Sequence, residues 1–392
     1  MKIAVPIFEF IPTSGIAKHT YEVIECLSKI GHKIDIWTTQ YNSNLLVSEN
    51  ISFYRIFVIS HIFKSFGKNR VGFLIDHLLF ALLTSLFLFI RRKSFDVIWN
   101  NGCGQVFYQD VITAASCHKA DVIRRFQKKQ WLKVILNPLN YYILLLEKYN
   151  YYVKNHRQII AISNSVKKQL IQFYHIREDR INIVYHGVNL KRFDRLNKDL
   201  CKEQLMKRFN FQLCDTLLCF VANGYDIKGL DLVFKAIAKI RDDKVKLLIV
   251  GEDLFKKNKY KKMADCLGIS QQVYFVGSTE TVWEYMLGSD MFVFPTRMDA
   301  FGMVILEAMA CELPIITTYM AGAAELLKHQ DSAMLLENPE DYRLLAKYIQ
   351  QLRGDKILSE TIAMRARSIS EQYTWDRIAE QHVVIFEKVL LS

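Results

Sequence analysis

The stretch DMFVFPTRMDAFGMVILEAMACELPIITT, residues 290–318, decides how the fold is read. It opens on a short apolar run, MFVF, and closes on a second, PIITT, each of a length that suits a buried strand. Between them Asp299 and Glu307 frame an apolar segment that starts at Phe301-Gly302. Eight positions apart on a helix, the two acids would lie roughly 80° past two full turns, sharing a broad face only if one helix ran through both. Gly302 argues against that, because glycine frees the backbone to depart from helix there. The reading is therefore strand, loop, helix, strand. Asp299 falls in the loop and Glu307 in the second helical turn, with Met303, Val304, Leu306, Met309 and Ala310 facing a core. Two carboxylates, a bare backbone and a helix start converge at the carboxyl end of a strand, where open parallel sheets bind ligands.

The same alternation recurs on both sides of this stretch. MKIAVPIF (1–8) reads as a strand, PTSG as a loop, and IAKHTYEVIECLSKI (16–30) as a helix with Ile16, His19, Val23, Ile24 and Leu27 at helical spacing, closed by Gly31. HKIDIWTT (32–39), FDVIWNNG (95–102), QIIAIS (158–163) and INIVYHGVN (181–189) are further strands. The pattern restarts with TLLCFVANG (216–224), helix GLDLVFKAIAKI (229–240) and strand VKLLIVGE (245–252). Helix KKMADCLGI (261–269), strand VYFVGS (273–278) and helix VWEYMLGS (282–289) follow, and the tail from Tyr342 to Leu391 is mostly helical. This is an α/β chain with two doubly wound parallel sheets in series, divided near residue 190. A length of 392 residues and 51% hydrophobic content agree with two cores.

Charge is uneven. Residues 1–190 hold 24 Lys and Arg against 12 Asp and Glu, a net +12, whereas residues 191–392 hold 28 of each sign. A one-sided positive field implies an anionic partner for the first half. Two greasy segments lie there. FLIDHLLFALLTSLFLFIRRK (73–93) is interrupted by Asp76 and His77, which leaves 13 uncharged residues from Leu78 to Ile90, short for a membrane span and suited to a buried or interfacial helix. Residues 123–157 mix Arg124, Arg125, Lys128, Lys129 and Lys133 with Trp131, Leu132, Ile135, Tyr141 and Tyr142, a composition suited to an anionic membrane surface. No nucleic-acid motif accompanies the charge, so nucleic acid is not expected as a partner. The eight cysteines form no CxxC pair, and MKIAVPIF runs straight into a strand, so reduced thiols in a cytoplasmic protein are expected.

The segment VANGYDIKGLDLVFKAI (221–237) places Lys228-Gly229 between a strand and a helix start, an arrangement that holds phosphate. It lacks GxxxxGK[ST], and no GxGxxG follows the first strand, so kinase and dehydrogenase readings lose their main support. With PTSGIAKH (12–19), DIKGLD (226–231), DAFGMVILE (299–307), AGAAELL (321–327) and YTWDRIAEQHVVIFEKVL (373–390), the chain resembles retaining nucleotide-sugar glycosyltransferases of family 4 over nearly its whole length. TAASCHKADVIRR (113–125) makes it most similar to the lipopolysaccharide-core glucosyltransferase type.

The resemblance implies a GT-B fold: two facing Rossmann-like domains with a cleft between them. Residues 1–190 with a closing helix of about 376–392 would take the acceptor, and residues 191–375 the donor. It implies that Glu307 grips the ribose hydroxyls, that Asp299 contacts the transferred sugar, and that Lys228 neutralises the leaving diphosphate. The N–H groups of Ala300, Phe301 and Gly302 would face sugar and diphosphate, with Glu325 a further donor-side acid. Ser14, Gly15 and Ile16 would form the loop between diphosphate and acceptor, Lys18 and His19 would start the helix behind it, and His118 would orient acceptor or sugar. No DxD motif stands in a convincing loop, so neither metal nor cofactor is expected. Two departures stand out. Asp299 replaces the family's Glu, and the Arg that usually precedes the Lys is absent, Ile227 standing next to Lys228 and Asn223 at the Arg's place, so that one cationic contact to the diphosphate is either lost or supplied elsewhere, with Arg297 the candidate. The expected activity is transfer of a hexose, UDP-glucose first, to a lipid-linked or core saccharide at the inner face of the plasma membrane. An epimerase or phosphorylase of the same fold, and a membrane-bound scaffold without turnover, are the alternatives.

Overall fold

Strands covered by helices on both faces have no polar side to show, and the runs KIAVP, VIWNN, TLLCFV and VKLLIV are correspondingly apolar and buried nearly throughout. The computed structural model describes residues 1–11, 15–41, 48–59, 70–102, 105–127, 129, 131–152, 158–193 and 197–391. The chain divides into two compact units, Met1–His186 with Trp375–Ser392, and Gly187–Thr374. The division read from sequence at 190/191 and 375/376 thus falls at 186/187 and 374/375.

Among the described residues the first unit carries a parallel sheet of seven strands in the order Ile51–Arg55, Lys33–Thr38, Lys2–Pro6, Val97–Asn101, Val111–Ala114, Gln158–Ala161, Ile181–Ile183. The second carries six parallel strands in the order Val273–Gly277, Val245–Val250, Thr216–Val221, Met291–Phe294, Ile315–Thr318, Met334–Leu336. In each, the first strand of the unit lies inside the sheet and the order reverses beside it, which creates the switch point where doubly wound sheets take ligands.

Three strands of these two sheets went unread in the sequence, as did the short pair Glu9–Phe10 and Gln40–Tyr41. ISFYR is a half-buried edge, and VITA and MLL are too short to show a period. The helix Gly15–Lys29 starts one residue earlier than its apolar pattern, so Gly15 and Ile16 are helical rather than loop, and Ser14 lies outside the described residues.

The helix Arg70–Ile90 is 21 residues long, and over Val71–Ile90 it is long and apolar enough to cross a membrane by length and composition. Asp76, Phe80, Thr84 and Leu88, four residues apart, are buried in the first unit, while Leu82, Leu86 and Phe89 are exposed. The helix Trp375–Leu391 packs along Gly15–Lys29 in the same unit, burying Ile378, His382, Ile385, Phe386 and Val389. Between these two helices and His186 lies a cluster of three buried histidines. His19 and His186 are hydrogen-bonded through their Nδ1 atoms at 2.8 Å, and the His382 ring stands 5.5 Å from His19 and 5.0 Å from the Trp99 ring. Burial pushes all three imidazoles down, His186 to about 3 and His382 to about 4. The seven cysteines among the described residues are free thiols.

Candidate active site

At the switch point of the second sheet, the segments following Thr216–Val221 and Met291–Phe294 come together. The first passes through a single helical turn, Tyr225–Lys228, before Gly229 opens the helix Leu230–Ile240. Gly229 sits at φ +80°, and a Cβ there would stand 2.2 Å from the Pro295 carbonyl oxygen, so no other residue fits this approach. Lys228 Nζ donates to Asp299 Oδ2 at 2.6 Å across the two segments and stands 5.6 Å from the Phe294 ring centroid. Both side chains are mostly buried, at 19% and 18% exposure, so the pair is shielded enough for its charges to be felt.

The Asp299 loop is stitched to the next one. Asp299 N–H donates to Met320 O at 3.0 Å, Gly322 N–H to Asp299 O at 3.1 Å, and Ala323 N–H to Phe301 O at 2.6 Å. Gly302, at φ +90°, turns the chain into the helix Met303–Ala310. Its glycine is thus needed by the backbone conformation itself, besides any ligand approach. Glu307 is buried in the second turn of that helix, and Glu325 is exposed in the short helix Gly322–Leu326. Met303 and Val304 are only half-buried, so the core face is narrower than expected; Ile305 and Ala308 fill it with Leu306, Met309 and Ala310. Of the three N–H groups expected to face the ligand, that of Phe301 is directed at Asp299 Oδ1, at 3.4 Å.

Arg297 does not offer a free guanidinium to a diphosphate. Its Nε and Nη2 donate to the two carboxylate oxygens of Glu340, its Nη1 and Nη2 to those of Asp231 at 2.8 Å each, and its remaining Nη1 proton to the Asp226 carbonyl. All five donors are used, and the bonds to Asp231 and then Glu340 raise its affinity for the proton. Arg297 therefore pins the Lys228 turn to the Asp299 loop, a positioning task that Asp231 and Glu340 betray only in space. Asn223, where the family's Arg is usual, accepts the Glu252 N–H at 3.0 Å through its Oδ1.

In the first unit, His118 opens the helix His118–Gln127. Its N–H donates to Glu147 Oε1 at 2.6 Å, the Lys119 N–H to Glu147 Oε2 at 3.0 Å, and Tyr174 OH to the same oxygen at 2.5 Å. Glu147, 1% exposed, is a residue the sequence reading missed; its signal was a lone acid inside YYILLLEKYN. Burial lowers the His118 imidazole, with Glu147 and Asp121 opposing, so the ring is neutral near pH 7. A cavity of about 350 Å³ opens at His118, with Ile16, Gln105, Ser116, Tyr142 and Glu147 among its walls. His19, expected on the acceptor side, is instead sealed in the histidine cluster at 1% exposure, and Lys18 is half-buried on the same helix.

The family models "Glycosyltransferase Family 4" and "Glycosyl transferases group 1" match residues 13–192 and 201–369, one on each unit. The chain belongs to glycosyltransferase family 4. This glycosyltransferase is 22% identical to an uncharacterized glycosyltransferase of Methanocaldococcus jannaschii over 99% of its own length and 98% of that protein. It is 23% identical to the lipopolysaccharide glucosyltransferase WaaG of Escherichia coli over 69% of its length and 78% of WaaG. A crystal structure of WaaG, described as a glycosyltransferase involved in lipopolysaccharide biosynthesis, superposes at TM-score 0.79 with 19% identity, covering 98% of this chain and 99% of that one. Anabaena HepE in complex with UDP-glucose superposes at TM-score 0.72 with 16% identity, covering 99% and 100%. The glycosyltransferase thus has the GT-B fold of paired Rossmann-like sheets.

Proposed function

We propose that this glycosyltransferase moves a hexose, with UDP-glucose as first donor, to a hydroxyl of a lipid-linked or core saccharide, with retention and without a metal ion. The observation that carries the reading is the shielded Lys228–Asp299 pair at the switch point of the second sheet. A donor arriving there parts the pair. Its diphosphate takes the ammonium, which then stabilises charge on the leaving group, and its sugar hydroxyls take the carboxylate. Asp299, one methylene shorter than the family's Glu, reaches Lys228 directly while the site waits. Glu307 holds the ribose, and no side chain is assigned as general base, the leaving phosphate itself accepting the acceptor proton. The HepE complex with UDP-glucose supports the choice of donor, and WaaG's description as a lipopolysaccharide glucosyltransferase supports both glucose and a lipid-linked saccharide acceptor.

The exposed Leu82, Leu86, Phe89, Trp131, Leu132 and Leu136 lie in the basic first half, which supports peripheral attachment to an anionic membrane on its cytoplasmic side. A phosphorylase or epimerase of soluble substrates has no use for that surface. The test is nucleotide release from UDP-, GDP- and ADP-sugars with membrane extract as acceptor source. Release from one donor, reduced at least ~100-fold by Lys228→Ala and by Glu307→Ala, is the expected result. Donor binding without release from any donor, extract present, would favour the scaffold alternative.

A further inference from the structure

The cavity at His118 has a neighbour. A groove of about 460 Å³ is walled by Leu78, Phe107, Leu145 and Tyr149, and it shares Tyr142 with the cavity. The border between the two runs between successive residues on two helices. On Arg70–Ile90, His77 lines the cavity and Leu78 the groove; on Pro138–Tyr152, Glu147 lines the cavity and Lys148 the groove. We propose that the acceptor is an amphiphile, its saccharide head seated in the cavity at His118 and its hydrocarbon chain lying in the groove beyond Tyr142. This rests on the transferase reading and names the acceptor class of that same site.

Two observations carry it. Within the cavity wall, His118 Nε2 and Tyr142 OH are buried and have no hydrogen-bond partner among the described residues. Buried polar atoms left unmatched are costly, and a sugar hydroxyl, which both donates and accepts, satisfies either one. The groove offers the opposite chemistry. Its walls are aliphatic and aromatic, with Leu145 66% and Leu78 39% exposed in the absence of an occupant. A cavity with His77, Gln105, Ser116, His118 and Glu147 on its wall, sharing Tyr142 with an apolar groove, matches a molecule with a polar head and an apolar tail. The groove's volume is that of a small-molecule cleft rather than a protein interface. Lys148, the charged residue on its wall, lies in the basic half of the chain and complements a phosphate joining head to tail.

The test compares maltose with dodecyl maltoside, below its micelle concentration, by titration calorimetry on the full chain. Each methylene buried is worth about fourfold in affinity, so a chain placed in the groove gives dodecyl maltoside an advantage of at least ~100-fold. Leu145→Asp, at an exposed position that leaves the fold intact, cuts that advantage by ~10-fold or more. Tyr142→Phe weakens both ligands by a similar factor and leaves their ratio unchanged. Equal affinities in the wild type overturn the proposal. So does an alkyl advantage that persists in Leu145→Asp, which would place the chain on the outer apolar face. Nucleotide release measured on the same preparation judges the transferase reading separately.

Discussion

Acidification is the perturbation that the first unit is least equipped to withstand. His19, His186 and His382 are neutral in the fold, with His186 lowered to about 3 and His382 to about 4, whereas an unfolded histidine titrates at about 6.5. Below pH 6.5 the unfolded chain therefore takes up protons that the folded chain refuses. Stability is full above that value and is lost as pH falls from about 6.5 towards the folded values. At pH 5.5 each imidazole that stays neutral in the fold costs roughly 1 kcal/mol, and the three together a few kcal/mol, about 4 at most. Set against a total of roughly 5–15 kcal/mol, that is a large share. For a unit of this size it is a fall of about 10 °C in Tm between pH 7.5 and 5.5. Trp99 and Trp375 pack on the cluster, so tryptophan fluorescence during thermal unfolding reads it directly. His77 and His118 are also lowered and add to the slope, so the decisive comparison is with His382→Gln. That variant is expected to be less stable at pH 7.5 and to lose about one third of the cluster's pH dependence. A Tm flat from pH 7.5 to 5.5, or a variant with an unchanged slope, refutes the reasoning.

Three other outcomes follow from the second unit. Arg297→Ala strands the mostly buried Asp231 carboxylate, the exposed Glu340 turning to water, and is expected to destabilise the unit by about 2 kcal/mol, lowering its Tm as well as turnover; a raised KM with an unchanged Tm would instead make Arg297 a diphosphate ligand. Gly229→Ala forces a Cβ against the Pro295 carbonyl at a left-handed position and is expected to cost about 2 kcal/mol or more, read as a lower urea midpoint. Since Lys228 rather than a metal is assigned the diphosphate, EDTA is expected to leave the rate of nucleotide release unchanged, and a rate restored only by added Mg²⁺ or Mn²⁺ would remove that assignment.

What could be read along the chain was what local pattern encodes. The strands Thr216–Val221 and Met291–Phe294 announce themselves because each is a fully buried apolar run between turn residues, and Gly302 marks the loop-to-helix step because only the backbone is involved. The division of labour among charges could not be read that way. Arg297 looked like a free cation because Asp231 and Glu340, its partners, are 66 and 43 residues away in sequence. His19 looked like a helix-start residue facing a ligand, since nothing near it in sequence places His186 and His382 against its ring. Glu147 hid in an apolar helix because the two N–H groups and the hydroxyl it serves come from two other helices.

The chain leaves the first unit after His186 and returns to it at Trp375, and Val188 is paired with Thr374 where the second unit begins and ends. The second unit is therefore an insertion whose two ends touch, and the first is a body with its last helix held back. During synthesis the second unit is complete before the residues that cap the histidine cluster have been made. Until then His19 of the Gly15–Lys29 helix lacks the Trp375 and His382 rings that pack on it, so the half of the molecule born first is the last to close. A premature stop a few residues before Trp375 would spare the second sheet and leave the first unit open, a lesion at one end of the gene felt in the core of the other.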